Sequence, residues 1–414
     1  MTLCRLIGLL VLDLLLVIST VVPSSAQSFH FNGNRKSKTL PFRYIKNLII
    51  IPLTINEKGP YNFVLDTGIG IMLITDPSLT DSVQIDNLRT IKITGMGEGG
   101  DITARVCPSI DVAISHDISG TMSAAILTTD AFNLSAFTGM PVHGLIGYEF
   151  FSSFIVKINY LTKTIRLYPH NSKRIREKGD KIPLTIEGRK PYLNALVSTE
   201  PGSEFLAKLI IDTGAGHPIS IERDSLYTFP VPEPNVRANL GVGLSGAING
   251  HIARIPSVRL GEYELKNVIA AFPDYNDAAR KALSANRHGN IGNNILQRFN
   301  LVFDYNKKLL YLKRNGQFKE AFEHDMSGME ISLHPPDFKR LYISRIESGS
   351  AADDAGLKVH DEILSINLRP VSELSLESIH DMLKSGNKRS LLLRILPAGS
   401  KTREMVVITL KRRI

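Results

Sequence analysis

The chain has 414 residues, a net charge of +9 and two cysteines. That length is enough for about three modules of typical domain size. The basic residues are spread out, with small clusters at Lys173-Arg174-Ile175-Arg176 and Lys411-Arg412-Arg413. Such a spread reads as solvated surface with at most weak attraction to an acidic envelope, and not as a nucleic-acid footprint. There is no P-loop, no dinucleotide fingerprint and no zinc-ligand spacing, so no cofactor and no metal are expected.

Residues 1–26 read as a secretory signal peptide. Arg5 gives a minimal basic start, Leu9 to Val22 is mostly apolar, and Ser24-Ser25-Ala26 is a small-residue cleavage signal. Asp13 and the short run argue against a retained membrane anchor. Cleavage before Gln27 would remove Cys4 and leave only Cys107, so no internal disulfide could form. Export without disulfides suits a bacterial envelope protein, periplasmic or extracellular. Cys107 itself reads as a small core residue.

Further along, the apolar run Phe63-Val64-Leu65 closes on Asp66-Thr67-Gly68. A strand-like stretch, Thr90 to Thr94, leads into Gly95-Met96-Gly97-Glu98-Gly99-Gly100. Next comes His143-Gly144-Leu145-Ile146-Gly147. A β-hairpin pattern follows, from Phe154 to Tyr160, through a turn with Lys163, into Ile165 to Tyr168. His170 to Lys181 is a polar, charged linker.

The whole pattern then repeats. Leu209-Ile210-Ile211 closes on Asp212-Thr213-Gly214, and Val236 to Leu240 leads into Gly241-Val242-Gly243-Leu244-Ser245-Gly246. His288-Gly289-Asn290-Ile291-Gly292 comes next, then Phe299 to Tyr305, Lys308, and Leu309 to Leu312. Gly144 lies 78 positions after Asp66, and Gly289 lies 77 after Asp212. A given tripeptide of this kind is expected only about 0.1 times in such a chain. Two chance turns built from Asp and Gly would not carry the matched downstream segments.

Two aspartates delivered by two similar half-structures can face each other and share one proton. Held about 3 Å apart, both cannot ionise, so one becomes an acid and the other a base. A water between them can then attack an amide. Gly68 and Gly214 let the chain turn tightly. The hydroxyls of Thr67 and Thr213 can reach backbone groups of the opposite half.

On these motifs the chain resembles the aspartic peptidase superfamily, nearest to the retropepsin-like bacterial aspartyl proteases, over roughly residues 40–315. The resemblance implies a mainly β, bilobal arrangement of pepsin- or retropepsin-like barrels, with lobes at 30–172 and 173–315. It implies Asp66 and Asp212 as the catalytic pair, supported by Thr67, Gly68, Thr213 and Gly214, with no covalent intermediate. It also implies flap hairpins over an extended substrate, at Gly95, Met96 and Gly97 and at Gly243 and Leu244. The chain departs from the family at Ile69, where a small residue is usual and a branched one could crowd the dyad. Ala215 keeps the pattern in the second copy. Asn290 is a polar departure on the strand behind the second motif.

The paired His143 and His288 have two readings, a buried histidine satisfied by backbone groups or a group that tunes the dyad. His217, just after the second motif, could line the cleft.

Residues 316–327 form a linker compatible with a helix. Residues 328–414 resemble a PDZ domain, a small α+β module. The resemblance rests on Ile346 to Lys358 and Val359 to Asn367, read as a strand, a short helix ending at Gly356, and a strand. His360 stands where that family usually has Gly. A helix from about Ser375 to Lys384 has Ser375 as N-cap and an apolar face of Leu376, Ile379, Met382 and Leu383. The resemblance implies a peptide groove at Met329, Ile331, Ile379 and Leu383, with a peptide C-terminus as ligand. A glycine-rich loop for its carboxylate is not evident, Gly328-Met329-Glu330-Ile331 being the best candidate.

The leading expectation is an exported aspartic endopeptidase acting on peptide or protein substrates, with a PDZ module for a partner. A second is a weakly active or inactive peptide-binding envelope protein of the same fold. A purely structural envelope role ranks last, because it leaves the matched Asp-Thr-Gly motifs unexplained. No nucleic acid and no firm membrane anchor are expected.

Overall fold

The computed structural model describes residues 28–93, 101–172, 179–222, 230–274, 287–335 and 338–414. The expected leader (1–26) and first flap (Gly95, Met96, Gly97) therefore lie outside the described residues. The chain is mainly β. Among the described residues no helix is long and apolar enough to cross a membrane.

Each repeat builds the same closed ring. In the first half, Leu48–Ile55 pairs with Lys58–Leu65 and with Ile102–Ser115. Ile102–Ser115 pairs with Ile118–Leu127, which pairs with Met72–Ile74. Met72–Ile74 pairs with Gly144–Ile146, and this strand returns to Lys58–Leu65 in parallel. In the second half the ring runs through Lys190–Glu200, Gly246–Leu260 and Tyr263–Pro273. It continues through Ile219–Ile221 and Gly289–Ile291 and closes on Ser203–Ile211. Every pairing has its counterpart, including the two parallel ones.

Strand periodicity sorts the apolar residues between two layers. From Leu48–Ile55, the residues Ile49, Ile51, Leu53 and Ile55 enter the large core. Their neighbours Leu48 and Ile50 enter a second cluster on the other face, with Val64, Leu73 and Leu145. Strands covered on both faces read as unbroken apolar runs, as Leu48-Ile49-Ile50-Ile51 does.

A six-stranded sheet fuses the halves. At its centre Ile155–Asn159 of the first half pairs with Phe299–Asp304 of the second, Val156 opposite Phe303. Each central strand has its own hairpin partner, Thr164–Tyr168 or Leu309–Arg314. The hairpin turns match, with Lys163 at φ 49° and Lys308 at φ 53°. At the edges Lys38–Pro41 and Asp180–Pro183 repeat the same relation. The large core is continuous across both halves.

Residues 329–409 form a separate sheet in the order Met329–Leu333, Leu341–Ile346, Glu362–Ile366, Ser390–Leu396, Glu404–Thr409. It has its own core. Ser350 and Ser375 cap the helices Ala351–Asp354 and Leu376–Leu383 with their side chains. His360 adopts φ 74°, the left-handed region where Gly is the easy choice.

The linker at 316–327 corrects the sequence reading. It forms turns and irregular chain, not a helix. The Arg298 guanidinium takes the carbonyls of Gln317, Glu320 and Ala321, which a helix would have kept for its own N–H groups.

Candidate active site

The strands Lys58–Leu65 and Ser203–Ile211 each end on their Asp-Thr-Gly motif. Behind each motif runs the strand with the later glycine. Asp66 N–H donates to the Ile146 carbonyl at 2.8 Å, and Asp212 N–H to the Ile291 carbonyl at 2.9 Å. On their other side Gly144 and Gly289 let the antiparallel neighbours Met72–Ile74 and Ile219–Ile221 pack close. A Cβ on Gly144 would sit 2.1 Å from the Leu73 carbonyl oxygen, and one on Gly289 1.8 Å from that of Ser220.

The paired histidines fix the register of these strands. His143 N–H donates to the Asn62 carbonyl at 2.8 Å, while its Nδ1 accepts the Asn62 N–H at 3.2 Å. His288 repeats both bonds with Lys208, at 2.8 and 3.0 Å. Asn62 and Lys208 each lie four residues before their aspartate. This is the backbone-satisfied reading of the two histidines. Burial holds the His143 imidazole below its usual range, as suits an acceptor nitrogen.

The two loops interlock through the buried threonines. Thr67 Oγ1 donates to the Ile211 carbonyl at 2.6 Å and accepts the Thr213 N–H at 3.0 Å. Thr213 Oγ1 donates to the Leu65 carbonyl at 2.7 Å and accepts the Thr67 N–H at 3.0 Å.

This grip brings the carboxyls together, close enough for the charge on Asp212 to act on Asp66. Gly68 N–H donates to Asp66 Oδ1 at 2.7 Å, and Gly214 N–H to Asp212 Oδ1 at 3.0 Å. Gly214 is sterically required and Gly68 leaves little room. A Cβ on Gly214 would lie 2.3 Å from Asp66 Cγ, and one on Gly68 3.1 Å from Asp212 Oδ1. Burial first, and the Asp212 charge second, push the Asp66 carboxyl well above the usual carboxylate range.

The site is not symmetric; the sequence reading noted Asn290 as a polar departure and His217 as a cleft residue but missed Lys190 and Asn293. Asn290 Nδ2 donates to Asp212 Oδ2 at 2.8 Å, and its Oδ1 meets His217 Nε2 at 2.8 Å. The equivalent first-half residue is the apolar Leu145. Lys190 is half-buried where the first half has Leu48. Extending the strand registers sets Leu48 across from Asp66 and Lys190 across from Asp212. Burial, and then Arg287, hold the Lys190 ammonium below its usual range, against the pull of Asp66, Asp212 and Glu222. Asn293 ties the second loop down by donating to the carbonyls of Thr213 at 2.6 Å and Asn47 at 2.7 Å. The signal was present in the repeat, where polar residues replace apolar partners.

Of the expected flap residues, Gly243 ends the strand Asn235–Gly243, which turns through Leu244 and Ser245 into Gly246–Leu260. Leu244 packs on the apolar cluster of the first half, together with Ile69. The hairpin tip thus crosses to the other half, and Ile69 has an apolar partner there. Cys107 is buried and its thiol meets the carbonyls of Asp86 and Ser109, as a core residue. Among the described residues no cluster of His, Cys, Asp and Glu could hold a metal.

The expected PDZ groove residues are placed differently. Met329, Ile331, Ile379 and Leu383 are all buried in the core of that module, because alternate strand residues and the inner helix face point inward. Leu333 and Leu376 are only partly buried and form the rim. The loop before the strand is internally satisfied. Asp325 Oδ1 accepts the N–H groups of Ser327 at 2.8 Å and Gly328 at 2.9 Å, and Ser327 Oγ accepts that of Met329 at 3.2 Å. A terminal carboxylate finds these donors already engaged.

No curated protein matches the chain. Among solved structures, a photosystem II D1 C-terminal processing protease aligns at 20% identity and a TM-score of 0.20. The alignment covers 21% of this chain and 23% of that one, and at that TM-score the likeness carries no argument. The family model for the PDZ domain matches residues 318–396. The match spans the first four of the five strands described, the short helix and the Leu376–Leu383 helix, and it identifies residues 318–396 as a PDZ domain.

Proposed function

We propose that the protein is an exported aspartic endopeptidase of pepsin- or retropepsin-like fold whose PDZ domain engages a peptide or protein partner. One observation carries the reading: two half-buried carboxyls, Asp66 and Asp212, facing each other and delivered by interlocked loops from equivalent strands. Structural ion pairs are not built this way, since two like charges facing each other destabilise a fold unless they share a proton.

In the mechanism, Asp66 holds the shared proton and Asp212 carries the charge. A water between them gives one proton to Asp212 as its oxygen bonds the amide carbon. Asp66 passes its proton toward the carbonyl oxygen, giving a neutral gem-diol. The C–N bond then breaks, one proton moves to the leaving nitrogen, and the pair returns to one proton shared. The side chain of Lys190 adds positive potential beside the dyad. Leu244 and its hairpin help exclude water from the bound peptide.

The deciding experiment is cleavage of an unfolded protein by residues 27–414 between pH 3 and pH 8, beside Asp66→Asn. Cleavage that the variant loses supports the reading. No cleavage by either protein at any pH overturns it.

One observation favours a second reading, a weakly active or inactive peptide-binding protein. The Asn290 amide occupies Asp212 Oδ2, an oxygen a general base would offer to water. An unfolded substrate retained equally by the parent and by Asp66→Asn, without cleavage, would support it.

A further inference from the structure

The PDZ domain does not stand clear of the rest of the chain. Its edge strand Met329–Leu333 and its helix Leu376–Leu383 are the two elements between which a peptide adds as a strand. Both touch the first half. Lys46 Nζ donates to the Ile331 carbonyl at 3.2 Å. The same ammonium sits 4.2 Å from the centroid of the Phe137 ring. Gly139, the C-cap of the helix Leu134–Thr138, reaches both walls. A Cβ there would lie 2.5 Å from Leu333 Cδ1 and 2.9 Å from Leu376 Cδ1. Lys163 Nζ meets Glu377 Oε2 at 3.7 Å at the start of the PDZ helix.

We propose that the PDZ groove is docked in cis on the first half, so that a peptide enters only by displacing Lys46 and the segment Phe137–Gly139. An added strand would need the Ile331 carbonyl that Lys46 occupies. It would also need the space over Leu333 and Leu376 that Gly139 fills. The contact is desolvated, since burial lowers the Lys46 ammonium to about 8 even though Glu330 and Asp325 oppose the shift.

Docking is connected to the cleft. Leu134 and Met140 flank the docked residues and pack into the cluster holding Leu145, Ile69 and Leu244. Leu145 lies on the strand whose Ile146 carbonyl holds the Asp66 N–H. A ligand that opens the groove therefore releases a segment packed against both the second hairpin tip and the strand behind Asp66. Such a ligand must outcompete the docked state, and its apparent affinity falls by the closed fraction. The inference rests on the PDZ match and these contacts, not on the chemistry of the dyad, so it survives or fails independently of cleavage.

Two experiments on the full chain test it. Zero-length carbodiimide cross-linking of the unsubstituted protein, read by peptide mapping, should join Lys163 to Glu377, and Lys46→Glu should reduce that link about tenfold or more. An absent link, or one indifferent to Lys46→Glu, overturns the docking. In a second protein, Gly139→Cys with Leu333→Cys, the shortened side chain at 333 gives room for a disulfide. Oxidised and reduced forms are then compared for retention of phage displaying random C-terminal decapeptides. Retention at least about tenfold higher in the reduced form supports the closed groove. Equal retention, high or absent, overturns it.

Discussion

Thr67 and Thr213 are each other's anchor. Each hydroxyl donates to the carbonyl preceding the other's motif and accepts the other's N–H, all within 2.6–3.0 Å and out of contact with water. Replacing either by Val keeps the shape but strands a buried N–H and a buried carbonyl on the opposite loop. Thr67→Val should destabilise the chain by about 2–4 kcal/mol, taking each orphaned group at about 1–2 kcal/mol. Denaturant unfolding at fixed pH measures it, and a loss below about 0.5 kcal/mol would contradict the anchoring role.

The raised Asp66 carboxyl makes stability depend on pH in a definite direction. Between the ordinary value of 3.8 and the raised folded value, the folded chain keeps a proton that the unfolded chain has released. The stabilisation is full below the unfolded value and is lost as pH rises through the folded one. Asp66→Asn should flatten this decline and be the more stable protein at neutral pH while losing cleavage. Paired unfolding curves across pH 4 to pH 8 decide the matter.

The glycines at the dyad should tolerate substitution unequally. Gly214→Ala drives a methyl to 2.3 Å from Asp66 Cγ, whereas Gly68→Ala makes contacts of 3.0 Å or longer. The first should cost cleavage about 100-fold or more, since displacements near 1 Å at reacting groups have effects of that size. The second should cost markedly less. Comparing kcat/KM for the two variants tests the order.

Asn290 offers a hydrogen bond to the charged form of Asp212 that Leu145 cannot offer to Asp66. Asn290→Leu should lower kcat/KM for cleavage by about tenfold, the size of a modest charge-assisted bond. An unchanged kcat/KM would show that the contact is structural.

The histidines should behave as register clamps. His143→Leu leaves the Asn62 N–H without its acceptor and should cost about 1–3 kcal/mol in stability. The pH profile of cleavage should keep its midpoints, which separates this role from a titrating one.

Much of the architecture could be read from the chain. Strand runs, the two Asp-Thr-Gly turns, the matched hairpins and the Ser375 cap follow from local rules of periodicity and turn chemistry. The internal repeat also announced that the two halves are equivalent. Tertiary structure decided the rest, because it depends on residues far apart in the chain. Arg298 drew the carbonyls of 317–321 away from a helix, and Asp325 consumed the N–H groups that a terminal carboxylate would need. Asn290 read only as a polar departure, and Lys190 carried no local signal, until strand register set them beside Asp212. Met329 and Ile331 turned inward to the PDZ core, while Gly139, distant in sequence, came to rest on Leu333 and Leu376. Local propensity specifies which element a segment forms. Which side chains then meet is set by packing between elements, where desolvation and steric fit act only once the chain has closed on itself.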